Sequence, residues 1–144
     1  MASEPVRLLL VEDNPADVFL METALDLSSL SVRLAIARDG QEALEQLQAA
    51  REEGLPDLIL LDLNMPRMNG FELLAALRAD PALMHLPVVV LTTSSAPADV
   101  KRAYALQANS YLGKPATLDE FLRLIDLLKA YWFGAASLPH TYQP

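Results

Sequence analysis

The sequence predicts an α/β domain built on a doubly wound parallel sheet, and three observations carry that prediction. Leu58-Ile59-Leu60-Leu61 is a run of large apolar side chains too continuous for a half-exposed strand and suited to a parallel strand buried on both faces. Val6–Val11, interrupted only by Arg7, and Pro87–Thr92 are runs of the same kind. Stretches with helical apolar spacing separate them. The tally is five strand patterns alternating with five helical ones, an order that favours a parallel sheet with right-handed crossovers.

The elements follow from local chemistry. The first strand ends in Glu12 and Asp13; Asn14 is suited to cap a helix and Pro15 is tolerated in its first turn. Phe19, Leu20, Ala24 and Leu27 follow helical spacing, and Ser28-Ser29 ends that segment. Val32, Leu34 and Ile36 alternate over a second strand before Asp39-Gly40; Ala43, Leu44, Leu47 and Ala50 then mark an amphipathic helix closed by Gly54 and Pro56. After the third strand and Asp62, Pro66 stops the extended run and Asn69-Gly70 supplies turn chemistry.

Phe71, Leu74 and Leu77 define a third helix that stops near Asp80-Pro81. The fourth strand ends in hydroxyls at Thr92 and Thr93 instead of acids. Ala98–Gln107 reads as a shorter helix with Val100, Ala103 and Leu106 inward, and Ser110–Gly113 as a short strand before Lys114-Pro115. Thr117 caps the last helix, with Glu120 completing a capping box.

That last helix carries more apolar surface than one core needs. Leu118, Phe121, Leu122, Ile125, Leu128 and Trp132 form one stripe, and Leu124, Leu127 and Tyr131 a second beside it. The arc exceeds the roughly 100° of a simple surface helix. Either the tail from Gly134 to Pro144 folds back over the excess, or the helix meets a partner; a homodimer through this helix is the expected outcome.

Composition narrows the chemistry. At 144 residues the chain fits one domain with one core. The absence of Cys excludes disulfides, thiolate metal sites and Cys nucleophiles, leaving carboxylates and a hard cation such as Mg2+ as the natural metal chemistry. A net charge of -8 with no basic patch argues against DNA binding. Glu4, Arg7, Glu12 and Asp13 interrupt any signal-peptide core, and no apolar run is long enough to span a bilayer, so the expected location is cytoplasmic with no membrane partner. His85, before a strand, and His140, in the tail, read as solvated surface residues.

Taken alone, Asp62 reads equally as a ligand-binding acid or a turn cap, Lys114 as a solvated loop charge and Thr92 as a strand-end cap. In a doubly wound sheet, however, Glu12, Asp13, Asp62, Thr92 and Lys114 all fall at one edge, beyond the carboxyl ends of the strands. Three carboxylates close together repel by roughly 4 kcal/mol per pair at an effective dielectric near 20, which a cation would relieve. Such a metal beside a carboxylate, a Lys and a Thr suggests phosphoryl transfer to Asp62, with Lys114 and the metal balancing the phosphoryl oxygens and Thr92 donating a hydrogen bond.

Leu9-Leu10-Val11-Glu12-Asp13, Leu61-Asp62-Leu63-Asn64-Met65-Pro66, Leu91-Thr92-Thr93 and Lys114-Pro115 stand in an order that resembles the response-regulator receiver domains of two-component signalling, over about residues 6–130. The resemblance implies a flavodoxin-like fold with strand order 2-1-3-4-5. It also implies that Asp62 accepts phosphate from the phosphohistidine of a sensor histidine kinase, and that Glu12, Asp13, Asp62 and the backbone carbonyl of Asn64 serve Mg2+. Thr92 and Tyr111 would form the switch. Such a protein is no enzyme in the ordinary sense; it catalyses its own phosphotransfer and slow autodephosphorylation.

Asn14-Pro15-Ala16-Asp17, Thr92-Thr93-Ser94 and the stretch from Tyr131-Trp132-Phe133 to Leu138-Pro139 are similar to the small single-domain regulators paired with phytochrome-type kinases. Two positions depart from the family pattern: Thr93 stands where many receivers carry a smaller residue, and Gln107 where Gly is common after the fourth helix. The expected organisation is a receiver domain over residues 1–133 and a tail over 134–144 with no output domain, signalling by phosphorylation-dependent protein contacts.

Overall fold

The middle strands β3 (Leu58–Leu61) and β4 (Val88–Thr92) are buried at every position, and their side chains leave alternately toward two helical layers. In a computed structural model that describes residues 5–50 and 54–139, they join β1 (Val6–Val11), β2 (Val32–Ala37) and β5 (Ser110–Gly113) in one parallel sheet of order β2-β1-β3-β4-β5. The order is the one implied by the resemblance. Leu9, Val11, Ile59, Leu61, Val88 and Val90 face α2 (Gly40–Ala49), α3 (Gly70–Ala79) and α4 (Pro97–Ala105). Leu8, Leu10, Leu58, Leu60, Val89 and Leu91 face α1 (Pro15–Leu27) and α5 (Leu118–Ala130). With both faces covered there is no polar alternation to select for, and each wholly buried aliphatic side chain contributes about 1.5–3 kcal/mol.

The edge strand β2 has one wet face, which is why its sequence alternates. Asn14, Asp39, Asn69 and Thr117 cap α1, α2, α3 and α5 through side-chain oxygens. The complete capping box lies at α3, between Asn69 and Glu72, and not at α5: Glu120 reaches past Thr117 to the Ala116 N–H at 2.8 Å.

Gly70 is required by proximity, because a Cβ there would lie 2.5 Å from the Asp62 carbonyl oxygen. The first turn of α3 can therefore abut the end of β3. No helix among the described residues is long and apolar enough to cross a membrane.

The sequence reading needs correction at α1. Phe19 and Leu27 are 66% and 64% exposed, and the buried positions are Met21 and Ala24. This helix is apolar around much of its circumference, so spacing alone does not select the inward face. At the other end, α4 begins at Pro97 and stops at Ala105, short of the expected Gln107. Gln107 instead takes the left-handed conformation at φ 69, its N–H bonding Tyr104 O while the Ala108 N–H bonds Ala103 O. That is a Schellman ending with Gln in the place glycine usually takes.

Arg78 holds this ending from outside. Its guanidinium donates to Gln107 O at 2.9 and 3.1 Å, Asn109 Oδ1 at 3.1 Å, Met84 O at 2.9 Å and Leu86 O at 2.8 Å. Burial pulls its pKa below the usual arginine value.

Past α5 the chain makes a π-helical turn, Tyr131–Ala135, and returns under the sheet. Leu138 is buried, and Pro139 lines a cleft with Asp57, His85 and Pro87. Leu124 also turns inward, but Leu127 and Tyr131 remain 64% and 59% exposed. The described tail thus covers the end of the sheet and leaves this part of the α5 excess open. His85 is exposed, as expected, and His140 lies outside the described residues, as do residues 51–53 between α2 and Gly54.

Candidate functional site

The site is assembled where the strands end. Glu12 follows β1 and is buried, Asp13 is exposed beside it, and Asp62 follows β3, its N–H extending the ladder to Val11 O at 3.0 Å. One oxygen from each carboxylate lies within 4.8 Å of the others. Three oxygen donors at that spacing, one open to solvent, fit a hard divalent cation that keeps part of its water shell.

Lys114 arrives from the end of β5, on the far side of β4. Its N–H bonds Thr92 O at 2.9 Å, which fixes the backbone from which the side chain reaches across. Nζ lies 2.6 Å from Glu12 Oε1, 3.0 Å from Asp17 Oδ2 and 3.3 Å from Asp62 Oδ2. The ammonium has three N–H donors and meets three carboxylates.

The electrostatics are strained on the acid side. Burial raises the Glu12 carboxyl from 4.5 to about 7; the Lys114 hydrogen bond works against the rise and the Asp62 charge adds to it. Burial alone would depress Lys114, but its bonds to Glu12 and Asp17 and the charges of Glu12 and Asp62 hold its pKa above the usual lysine value. One lysine does not neutralise the acids around it, and the arrangement favours a further cation.

Thr92 is wholly buried, and its hydroxyl accepts the Ser94 N–H at 3.4 Å. Ser94 links outward in two directions. Its Oγ donates to Asp99 Oδ2 in the first turn of α4 at 2.5 Å, and its carbonyl accepts the Tyr111 hydroxyl from β5 at 2.8 Å. Tyr111, half-buried on β5, therefore reaches the β4–α4 loop and not the acids. Thr93, next to Thr92, is exposed.

Two clefts open from the acid cluster. One, of about 510 Å³, runs past Glu12 and Asp13 to Glu22, Arg38 and Glu42. The other, of about 420 Å³, is walled by Asp13, Asn64, Asn69, Phe71 and Arg102. The sequence reading missed Asp17, Ser94, Asp99 and Arg102. Asp17 had a signal, since it stands three residues past the Asn14 cap, at the helix end facing the site, and so did Ser94, two residues past Thr92; Asp99 and Arg102 become neighbours of the site only through the placement of α4.

The comparisons agree with this geometry. The model of the response regulator receiver domain matches residues 8–126. FilR2, a probable methanogenesis regulatory protein of Methanothrix harundinacea, is 39% identical over 135 residues, covering 92% of this chain and 87% of its own. The response regulator Rcp1 of Synechocystis sp. is 39% identical over 141 residues, 96% of each chain. Among solved structures, the phosphorylated cyanobacterial phytochrome response regulator RcpA superposes with a TM-score of 0.86 at 39% identity, covering 94% of this chain and 99% of that one. The Mn(2+)-bound form of Rcp1 gives 0.82 at 40%, with the same coverage. A match over most of the chain, by sequence and by fold, shows that this protein belongs to the response regulator receiver domain family.

Proposed function

We propose that Asp62 is the phosphoacceptor of this receiver and that Lys114 and Thr92 serve the transfer. The observation that carries the reading is the placement of the Lys114 ammonium 3.3 Å from Asp62 Oδ2, within a cluster of three acids that one lysine does not balance. Glu12, Asp13, Asp62 and the backbone carbonyl of Asn64 would hold Mg2+, a role supported by the acid spacing and by the manganese in Rcp1. The ion supplies charge neutralisation on the phosphoryl oxygens. Lys114 keeps its proton throughout and holds Asp62 Oδ2 in place.

Thr92 and Tyr111 are the switch. A phosphoryl group on Asp62 adds about -1.5 to -2 charges, and the Thr92 hydroxyl turns to donate to it. The Ser94 N–H bond to that hydroxyl is then lost, which loosens the loop that holds both Asp99 and the Tyr111 hydroxyl. The output is a changed α4–β5–α5 face. Slow hydrolysis of the acyl phosphate at Asp62 resets it.

The donor is the phosphohistidine of a sensor histidine kinase, of phytochrome type by likeness to the cyanobacterial phytochrome response regulator RcpA. Residues 1–133 act as the receiver and 134–144 as its tail, in the cytoplasm. Exposed Leu127 and Tyr131 support a homodimer through α5, and the net charge of -8 supports protein contacts in place of DNA. The reading is tested by phosphotransfer from candidate kinases to wild type and Asp62→Asn. Transfer to wild type alone is expected; equal labelling of the variant contradicts it.

A further inference from the structure

The second cleft beside the acid cluster has one cation on its wall, Arg102 of α4. Its guanidinium carbon lies 4.2 Å from the centre of the Phe71 ring, so the side chain is anchored by stacking. Among the described residues no carboxylate lies within ion-pair distance of it, and its side chain donates no hydrogen bond. Stacking fixes the plane of a guanidinium without consuming its N–H donors. Arg102 is therefore a positioned cation with its whole donor fork available, facing the cleft that Asp13 and Asn64 also line.

The chemistry of the site gives such a group a task. A phosphodonor arrives as an anion and meets Glu12, Asp13, Asp62 and Asp17, against which Lys114 sets one positive charge. The donor-facing field is repulsive until cations offset it. We infer that Arg102 is a specificity-determining residue that gathers the phosphoryl group of an acyl phosphate donor at the mouth of the cleft. This rests on the reading of Asp62 as the phosphoacceptor. In the step that follows, an Asp62 oxygen bonds to phosphorus as the bond from phosphorus to the donor's acyl oxygen breaks. The donor's carboxylate leaves with that electron pair, and no proton is needed.

The bland alternative is that Arg102 only shields Phe71. Two variants separate the two roles. Arg102→Leu keeps an apolar cover on the ring and removes the charge, while Arg102→Lys keeps the charge. Phosphorylation by acetyl phosphate with magnesium present is followed by intact mass as donor concentration and ionic strength are varied. Arg102→Leu is expected to raise the half-saturating donor concentration roughly three- to tenfold, the range between an exposed ion pair and a charge-assisted hydrogen bond. The lysine variant should recover part of the loss, and the leucine variant should show a weaker salt dependence.

An unchanged half-saturation, or equal losses in both variants, overturns the inference. So does a loss seen with a kinase-borne phosphohistidine and absent with acetyl phosphate, which would make Arg102 a protein contact. Wild type that takes no phosphoryl group on Asp62 refutes the underlying reading instead, so the two failures are distinct.

Discussion

Lys114 touches Asp62 across the full width of β4: the residues follow β5 and β3, strands that do not pair, yet Nζ and Oδ2 are 3.3 Å apart. The contact is possible because Lys114 is held to Thr92 O and extends past the buried Thr92 side chain toward the acids. The same ammonium is the main partner of buried Glu12, at 2.6 Å.

Removing that ammonium strands Glu12. Lys114→Gln is expected to destabilise the metal-free fold by about 2 kcal/mol at pH 8, below the roughly 3–5 kcal/mol of a broken, fully buried pair because Glu12 can take up a proton. The loss should shrink at pH 6, where that uptake is easier. Urea unfolding at the two pH values measures both.

Metal-free stability should fall as pH rises toward neutrality and level off above it. Glu12 titrates at about 7 in the fold against 4.5 ordinarily, so between those values the native state binds a proton that the unfolded chain does not. Its contribution is most favourable below that window and declines by roughly 1–2 kcal/mol across it, allowing for partial solvation. Asp39 has the opposite sign. The hydrogen bonds from the Arg67 guanidinium and the Glu42 N–H hold its pKa below the ordinary 3.8, so its contribution is present above that value and is lost as pH falls through the lowered one. Denaturant midpoints across pH in a chelating buffer should peak at about pH 5, and Arg67→Ala should flatten part of the acid-side slope, leaving the share that the Glu42 N–H sustains.

Gln107→Gly should stabilise the protein by about 1 kcal/mol, because the left-handed backbone at φ 69 no longer carries a Cβ and the carbonyl bonded by Arg78 is retained. Arg67 has the same kind of backbone, φ 63, but its side chain bonds Asp39 at 2.8 and 3.3 Å. Arg67→Gly should therefore show no comparable gain. Thermal melts of the two variants check the contrast.

At the switch, Tyr111→Phe removes the bond to Ser94 O and should cost about 0.5–1.5 kcal/mol of stability. Thr92→Val conserves shape and should spare stability more than it spares function. Asp62 phosphorylation is expected to slow about tenfold, the equivalent of one donated hydrogen bond of about 1.4 kcal/mol. Single-turnover labelling rates measure the second effect.

At α5, Leu127→Glu with Tyr131→Glu should yield a monomer by light scattering if the exposed apolar pair joins two copies. A wild-type monomer at high micromolar concentration, with and without phosphate, would remove the dimer from the account.

The strands and the acid cluster were legible because both leave one-dimensional marks. A strand buried on two faces must be continuously apolar, as Leu58–Leu61 is, and a parallel sheet must bring its strand ends to one edge, which places Glu12, Asp13, Asp62, Thr92 and Lys114 together. The inward face of α1 left no such mark, because Phe19 and Leu27 are as apolar as buried Met21. Ser94 meets Thr92 and Asp99 within its own stretch of chain, but its bond from Tyr111 and the seating of Arg102 on Phe71 come from how α4 settles against β5 and α3, a matter of tertiary packing that spacing does not encode.

The central claim is that Asp62 is the group that takes the phosphoryl. Intact-mass measurement after treatment with a phosphodonor and magnesium, on wild type and Asp62→Asn side by side, tests it most directly. The account predicts one added phosphoryl group on wild type and none on the variant; equal labelling of both would contradict it.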